Sequence, residues 1–387
     1  MNLLLLTYDK YPHGSAGAVR HHVLAKLLSV AGHKVFVVGM SEGVDFKKRN
    51  FNGISYTSFR NPGKGFVSKI NNYFGFQFRT ASLLNKSHPK FDAILLPEVP
   101  LSTIIFLKRY ARRRKIMLLH DSVEWYSPDY LKFGKFSRHY LSKDLLNRVL
   151  VDKQFKIIAV SKYLQRHFTE KKCQTIRIPV IMDVKGMTFK KRLDPKKIIM
   201  VYAGVSAKRD GLAYMLEALL MLSNAEIARV QLRVIGLTEN KLVKERVISR
   251  ASIKKLGNSL ILSDFTSRKT VFRSLEEADF TVLLRPKTAR FAVAGFSSKV
   301  VEGFATATAT MCNLTCDLGD FVKDGKNGIV VDDCSSTSFL KAIRSALKLT
   351  MRQRKMLSKS ARITAERYFE YRLYADKINV FLKSNIK

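Results

Sequence analysis

Short apolar runs alternate with stretches of helical period along almost the whole chain, and this alternation restricts the fold more than any other feature. Residues 2–7 (NLLLLT) form an apolar run. Residues 17–30 place Val19, Val23, Leu24, Leu27 and Leu28 on one helical stripe, and 34–38 is the next apolar run. Strand, helix and strand in that order pack as a crossover unit, because parallel strands need a long connection that a helix supplies. Further strands are expected at 54–59, 93–96, 116–120, 157–160 and 175–178. Residues 185–197 (KGMTFKKRLDPKK) then offer few core candidates and read as an interdomain linker. Beyond it the alternation restarts, with strands expected at 198–203, 231–235, 260–262, 280–284, 308–312 and 329–331. Helices are expected at 212–222, 335–349, 352–368 and 371–382. The expected fold class is therefore α/β, with two doubly wound Rossmann-like domains at 1–184 and 198–370. The terminal helix, within 371–387, is expected to pack back on the first domain. A chain of 387 residues accommodates two such cores.

Charge narrows the classes of partner. Sixty-nine Lys and Arg against 31 Asp and Glu give a formal net charge of +38, which attracts nucleic acid, anionic lipid or phosphorylated substrates. No zinc, RRM or KH signature accompanies the charge, so a basic nucleic-acid-binding protein is the alternative and not the first reading. Cys173, Cys312, Cys316 and Cys334 form no Cys-x-x-Cys spacing and read as thiols in a reducing compartment. The opening MNLLLLTYDK is too short for a signal core or a membrane span. The expected location is therefore cytoplasmic, with membrane contact peripheral, at the inner face.

The most informative stretch is 294–320 (AGFSSKVVEGFATATATMCNLTCDLGD). Gly295 permits close backbone approach, Ser297 or Ser298 can cap a helix, and Val300, Val301 and Phe304 give that helix an apolar stripe. Its N-terminus presents unpaired N–H groups at the positive end of the dipole, which suits a phosphate. Glu302, one turn in, offers two acceptor oxygens to vicinal hydroxyls such as those of a ribose. Most strand-turn-helix units bind nothing, and a helical Glu is usually a solvated residue.

The residue string shifts that balance. Ala294-Gly295-Phe296-Ser297-Ser298-Lys299 with Glu302, Leu318-Gly319-Asp320 and Asp324-Gly325-Lys326-Asn327-Gly328 resemble the donor-binding segment of glycosyltransferase family 4. The family's usual pattern is Glu-x7-Glu, and Ala294 stands where its first Glu would be. A polysaccharide-building branch reads Ala-Gly-Phe-Pro-Thr-Lys there, so Ala294 reads as a branch trait. A catalytically inactive family member is a further alternative that Ala294 raises. The resemblance covers nearly the whole chain. It implies the GT-B architecture, in which two domains face a central cleft, and retaining transfer of a hexosyl unit from a nucleoside diphosphate sugar. The acceptor it implies is a glycan or a lipid-linked molecule in bacterial-type surface polysaccharide synthesis.

Other residues take roles from the same resemblance. The loop Tyr11-Pro12-His13-Gly14-Ser15-Ala16, continuing through Gly17 to Arg20, resembles the Gly/Ala-rich loop that leaves room for a diphosphate or acceptor, with Arg20 as an ion partner. His120, at the end of an expected strand, matches the family's sugar-contacting histidine. Asp121, Glu124 and Trp125 beside it are acceptor-side candidates, the tryptophan either as a stacking platform or as packing. In the loop that begins at Gly204, Val205 takes the usual Arg place, which leaves Lys208 and Arg209 to neutralise the diphosphate. Gly295, Phe296, Ser298, Lys299 and Glu302 complete the expected donor set. No Asp-x-Asp occurs, so no metal and no cofactor are expected, the sugar nucleotide being substrate. Between residues 61 and 90, Phe66, Phe74, Phe76 and Phe78 among Lys64, Lys69 and Arg79 read as shallow membrane anchors or as ordinary helix packing.

Overall fold

A computed structural model of the chain describes residues 1–14, 16–41, 47–60, 65–87 and 90–384, without the side chains of 66–72. Ser15, Lys64 and the side chains of Phe66 and Lys69 lie outside the described residues. The chain divides into two compact units, Met1–Ile181 with Tyr371–Lys387, and Met182–Glu370.

The first unit holds strands β1 (Asn2–Lys10), β2 (Lys34–Ser41), β3 (Arg49–Phe51), β4 (Ile54–Arg60), β5 (Ala93–Leu96), β6 (Met117–Ser122), β7 (Phe155–Ala159) and β8 (Gln174–Arg177). Their order in the sheet is β3-β4-β2-β1-β5-β6-β7-β8, parallel throughout except for the antiparallel pair β3–β4. Strand β3 escapes a periodicity reading because three residues carry no period. Its signal was the Asn52-Gly53 dipeptide, whose two positive φ angles of 47° and 84° match the tight hairpin turn that favours this pair. The central strands are apolar on both faces, as β5 (AILL, wholly buried) shows, because helices cover both sides.

The second unit holds β9 (Ile198–Ala203), β10 (Val230–Ile235), β11 (Leu260–Ser263), β12 (Phe280–Leu283), β13 (Ala309–Asn313) and β14 (Gly328–Val331). The order β11-β10-β9-β12-β13-β14 is parallel throughout. Met200, Tyr202, Leu232, Phe280 and Met311 from these strands meet Leu212, Met215, Leu216 and Leu219 from the helix Leu212–Leu220 in one core. In both sheets the winding reverses at one place, between β1 and β5 and between β9 and β12. There the connections leave in opposite directions, and a crevice opens at the carboxyl ends of the strands.

The stretch 185–197 is not a free tether. Lys191 donates to the carbonyls of Leu275 (2.9 Å) and Ala278 (2.5 Å) and to the Thr308 hydroxyl (2.7 Å), and Arg192 N–H donates to the Glu276 carbonyl (2.9 Å). Burial lowers the Lys191 ammonium to a pKa of about 7. A basic, core-poor sequence is thus strapped along the second unit by its cations. For Phe76 the packing reading is the one observed. It is fully buried, edge-on to Tyr8 and Phe59, and belongs to the core of the first unit, while Phe74 and Phe78 are exposed. Arg79 is held locally by the Arg60 carbonyl (2.6 Å) and lies over the Phe59 ring.

A buried ion pair closes the second unit. Arg354, on the helix Met351–Tyr368, donates from Nε (2.6 Å) and Nη2 (2.8 Å) to Asp279, whose Oδ2 also accepts the Ile199 N–H (2.9 Å). Removing one member leaves a buried charge without its partner, a loss of about 3–5 kcal/mol. Arg354→Leu is therefore expected to lower the unfolding free energy of the second unit by that amount in a denaturant titration. A loss below about 1 kcal/mol, the size of an exposed pair, would show that this contact does not secure the helix.

Candidate functional site

The second unit gathers its charged groups where its sheet reverses. From β9 the chain enters the loop Gly204–Gly211, and Asp210 in this loop is buried. Its carboxylate accepts Arg285 Nε at 2.9 Å and Lys299 Nζ at 2.9 Å, with the Tyr202 hydroxyl at 3.2 Å. Burial alone would raise this carboxyl, but Lys299 and Arg285 hold it well below the usual carboxylate range. Arg285 follows directly on β12 and its neighbour Leu284. Its backbone N–H donates to Asn313 Oδ1 (2.8 Å), its carbonyl accepts from Asn313 Nδ2 (2.7 Å), and its Nη1 donates to the Gly295 carbonyl (3.3 Å). Strand ends β9, β12 and β13 and the turn before the helix Ser298–Ala305 are thereby tied to one carboxylate.

Glycine is required in this loop at two positions. A Cβ on Gly204 would lie 2.9 Å from both Lys299 Cε and the Tyr202 hydroxyl, so the bare backbone lets the lysine cross to Asp210. Gly211 has φ +63°, and a Cβ there would lie 2.8 Å from the Leu284 Cβ.

The helix Ser298–Ala305 starts without the side-chain cap that the sequence led us to expect. Ser297 holds the N-cap position but accepts no bond from the helix, and its buried Oγ has no hydrogen-bond partner. An uncapped, positively polarised helix end beside an unsatisfied buried hydroxyl is a place with hydrogen bonds left to make. Glu302, one turn in, lies 3.5 Å from Arg268. Burial raises its carboxyl above the ordinary value, against the pull of Arg268 and Lys299. Lys208 is exposed, and Arg209 lies over the Phe291 ring at 5.0 Å. Phe296 is packed between Phe321 and Phe369 at 5.6 and 5.8 Å, so it shapes the turn and does not present its ring outward. Ala294 is fully buried, as are Phe291 and Ala292 before it.

In the first unit the same kind of edge holds a second cluster. His120 on β6 directs Nδ1 at the Leu96 carbonyl (2.8 Å). A carbonyl only accepts, so Nδ1 carries the proton and Nε2 is the acceptor end. Burial lowers the pKa of this imidazole to about 4 and keeps it neutral, helped by the nearby Lys143 ammonium. Asp121 accepts Arg20 Nε and Nη2, each at 2.7 Å, and Arg20 Nη1 donates to the Pro179 carbonyl (3.1 Å). This corrects two expectations: Arg20 is no open ion partner and Asp121 no acceptor ligand, because each is buried against the other. Trp125 is buried, donates Nε1 to Asp144 (3.0 Å) and carries Arg148 over its ring, so its packing reading is the one observed. Glu124 is half-buried and adds to the field that raises the Lys143 ammonium. Gly14 is needed where it stands, since a Cβ would lie 2.7 Å from the Lys10 carbonyl oxygen. Ala16 and Gly17 open the helix Ala16–Val30, and Ser15 lies outside the described residues.

Sequence reading passed over Asp9, Glu98, Lys143 and His21. Lys143 pairs with Glu98 at 2.5 Å, and Asp9 lies 3.7 Å from His21 Nδ1. Burial, then the charge of Glu98, raises the Asp9 carboxyl to about 6. Beside them a cavity of about 430 Å³ is lined by Tyr8, Tyr73, Tyr126, Glu98, Arg138 and Lys143. Asp9 lies in the carboxyl-terminal end of β1 and Glu98 just after β5, the two strands at the reversal. The missed signal was thus their place at the ends of those strands, as it was for Arg285 after β12. Among the described residues no group of three or more His, Cys, Asp or Glu is arranged to hold a metal ion, and no helix is long and apolar enough to cross a membrane.

Residues 184–364 match the family model described as glycosyl transferases group 1. No curated protein matches the chain in sequence. Solved structures similar to it include sucrose-phosphate synthase from Thermosynechococcus elongatus, at 14% identity over 99% of this chain and 98% of that one, with a TM-score of 0.76. WaaG, a glycosyltransferase involved in lipopolysaccharide biosynthesis, is 15% identical over 99% and 100%, with a TM-score of 0.67. HepE of Anabaena in complex with UDP-glucose is 15% identical over the full length of both chains, with a TM-score of 0.66. The chain thus has the GT-B fold of glycosyltransferases, and within it residues 184–364 match the group 1 family.

Proposed function

We propose that this chain is a retaining, metal-independent glycosyltransferase of family 4 that moves a hexosyl unit from a nucleoside diphosphate sugar to a glycan or lipid-linked acceptor in surface polysaccharide synthesis. The observation that carries the proposal is the second unit's charge cluster, where Arg285 and Lys299 flank Asp210 beside an uncapped helix end and the partnerless hydroxyl of Ser297. Arg285 and Lys299 share this one carboxylate, and Lys208 and Arg209 stand on the same loop, an excess of cations that suits a diphosphate. HepE, of the same fold, is described in complex with UDP-glucose, which supports a sugar nucleotide as the ligand class.

In this reading the cations and the helix N–H groups stabilise the negative charge that develops on the departing diphosphate. Ser298 and Lys299 stand at the start of that helix, and Gly204 and Gly295 keep the backbone low enough for a phosphate to approach. Glu302 receives the ribose hydroxyls. His120, neutral and orientated by Leu96, accepts a hydrogen bond from a hydroxyl of the transferred sugar. The acceptor is received by the first unit's cavity, where three tyrosines offer ring faces and Glu98, Arg138 and Lys143 offer polar contacts. The partner surface is the anionic inner leaflet of a membrane, met from the cytoplasm, and the formal charge of +38 supports it.

Calorimetric screening of nucleoside diphosphates in EDTA tests the donor site. One of them is expected to bind, and Glu302→Ala, or Lys208→Ala with Arg209→Ala, to weaken it by about 1–3 kcal/mol, the scale of a charged hydrogen bond. Binding that requires a divalent ion, or unchanged affinity in both variants, would remove this assignment.

His120→Asn keeps a donor for the Leu96 carbonyl and removes the imidazole. Turnover is expected to fall roughly tenfold or more, with nucleoside diphosphate affinity unchanged, since only transition-state contacts affect the rate in that pattern. The product anomer, read by NMR, is expected to match that of the donor. The same variant tests acid stability. In the unfolded chain the imidazole takes its proton near its ordinary 6.5, and in the folded chain only at about 4. Its contribution, up to about 3 kcal/mol, is complete above 6.5 and lost as the pH falls from 6.5 to 4. His120→Asn should therefore flatten the stability-against-pH curve in that window, and an unchanged curve would show that the imidazole is not held neutral.

A further inference from the structure

We propose that the first unit docks on an anionic lipid bilayer through residues 131–149, with Phe133 and Phe136 entering the headgroup region and Lys132, Lys135 and Arg138 meeting the lipid phosphates. This assigns a surface to the membrane partner named above and rests on that reading, but it does not depend on the transfer chemistry.

The apolar side chains of this segment face outward. Phe133 is 72% exposed and Phe136 87%, on a pair of single turns that lead into the helix Arg138–Leu145. Leu141, Leu145 and Val149 follow at every fourth position and are exposed as well, while Lys143, Leu146 and Asn147 are buried on the inward face. The helix therefore has its packed face satisfied and a second, aliphatic stripe with no protein against it.

The backbone works to present the first ring. Phe133 sits at φ 73°, ψ 9°, in the left-handed region that an aromatic residue rarely adopts. Successive N–H bonds fix the turn there, from Leu131 to the Pro128 carbonyl, Gly134 to Leu131, Phe136 to Phe133 and Ser137 to Gly134, all 3.0–3.1 Å. The turn's hydrogen bonds are thus made with the ring held outside.

Charge then selects the occupant. Lys132 lies over the Phe133 ring at 5.2 Å and Arg138 over Tyr73 at 4.5 Å, and neither these nor Lys135 pairs with a carboxylate among the described residues. The segment's one acid, Asp144, is taken up by Trp125 and Arg148. A second copy of a +38 chain would place like charges opposite these cations. Nucleic acid would answer the cations and leave the Leu141, Leu145 and Val149 stripe unburied. An anionic bilayer interface answers both, with aromatic rings at headgroup level and cations at the phosphates.

The test uses the full chain and extruded vesicles of phosphatidylcholine with and without phosphatidylglycerol. Co-sedimentation is expected only with phosphatidylglycerol present, and F133S/F136S is expected to weaken partitioning about tenfold or more, the effect of leaving two rings unburied. Unchanged far-UV circular dichroism controls for folding of the variant. A positive readout comes from F136W, because the one native tryptophan, Trp125, is buried. Its emission is expected to shift blue and to be quenched by lipids brominated near the headgroup. If the wild-type chain binds and F133S/F136S binds equally, this segment is not the docking surface, although the membrane reading survives. If the wild-type chain ignores anionic vesicles at low salt, the membrane reading fails and takes this inference with it. Absence of quenching in F136W overturns insertion of the ring even where binding persists.

Discussion

Each sheet changes its winding direction at a single pair of strands, and nearly everything chemical in the molecule follows from that. Strands β1 and β5 in one unit, and β9 and β12 in the other, send their connections to opposite faces, so no helix covers their carboxyl ends. Polar groups can be held there without entering the core. Asp9 and Glu98 stand at the carboxyl ends of one pair, and the Gly204–Gly211 loop and Arg285 follow the other. The same edge supplies both conditions for a charge cluster, which are a rigid frame and access to solvent on one side.

Most of the frame was legible because both sheets are buried and parallel. Strands such as AILL and IIMVYA are continuous apolar runs, and their extents agree with the expected ones at both ends. What escaped was carried by contacts distant in sequence. Nothing local in YAGVSAKRDG marks Asp210, and not Lys208, as the centre of its loop, because that rank comes from Arg285 and Lys299, 75 and 89 residues away. Arg20 failed as an open ion partner for the same reason, since Asp121 lies 101 residues away. Lys191 is a further case, where a basic run that resembles a tether is fixed by carbonyls its own sequence does not reveal.

The chain has few acids, and it places several of them inside. Asp121 with Arg20, Asp210 with Arg285 and Asp279 with Arg354 are buried arginine-aspartate contacts, two of them two-pronged. Arginine suits this use, since its planar fork satisfies both carboxylate oxygens and stays charged when desolvated. With 31 acids against 69 bases, carboxylates committed to the interior are unavailable to neutralise the exterior. Each of these carboxylates takes an arginine in with it, so closing the cores this way leaves the excess of lysine and arginine where it was, on the exterior.

The second unit is inserted into the first, which is built from Met1–Ile181 and completed by Tyr371–Lys387. Lys156, on the interior strand β7, is fully buried, and its ammonium donates to the carbonyls of Phe381 (2.6 Å) and Leu382 (3.3 Å). Those carbonyls follow the whole of the second unit in the chain. The buried cation of β7 is therefore answered by a segment 225 and 226 residues further along, with the second unit between them. A cleavage anywhere in the second unit would thus turn this contact inside the first unit into one between two separate pieces of chain.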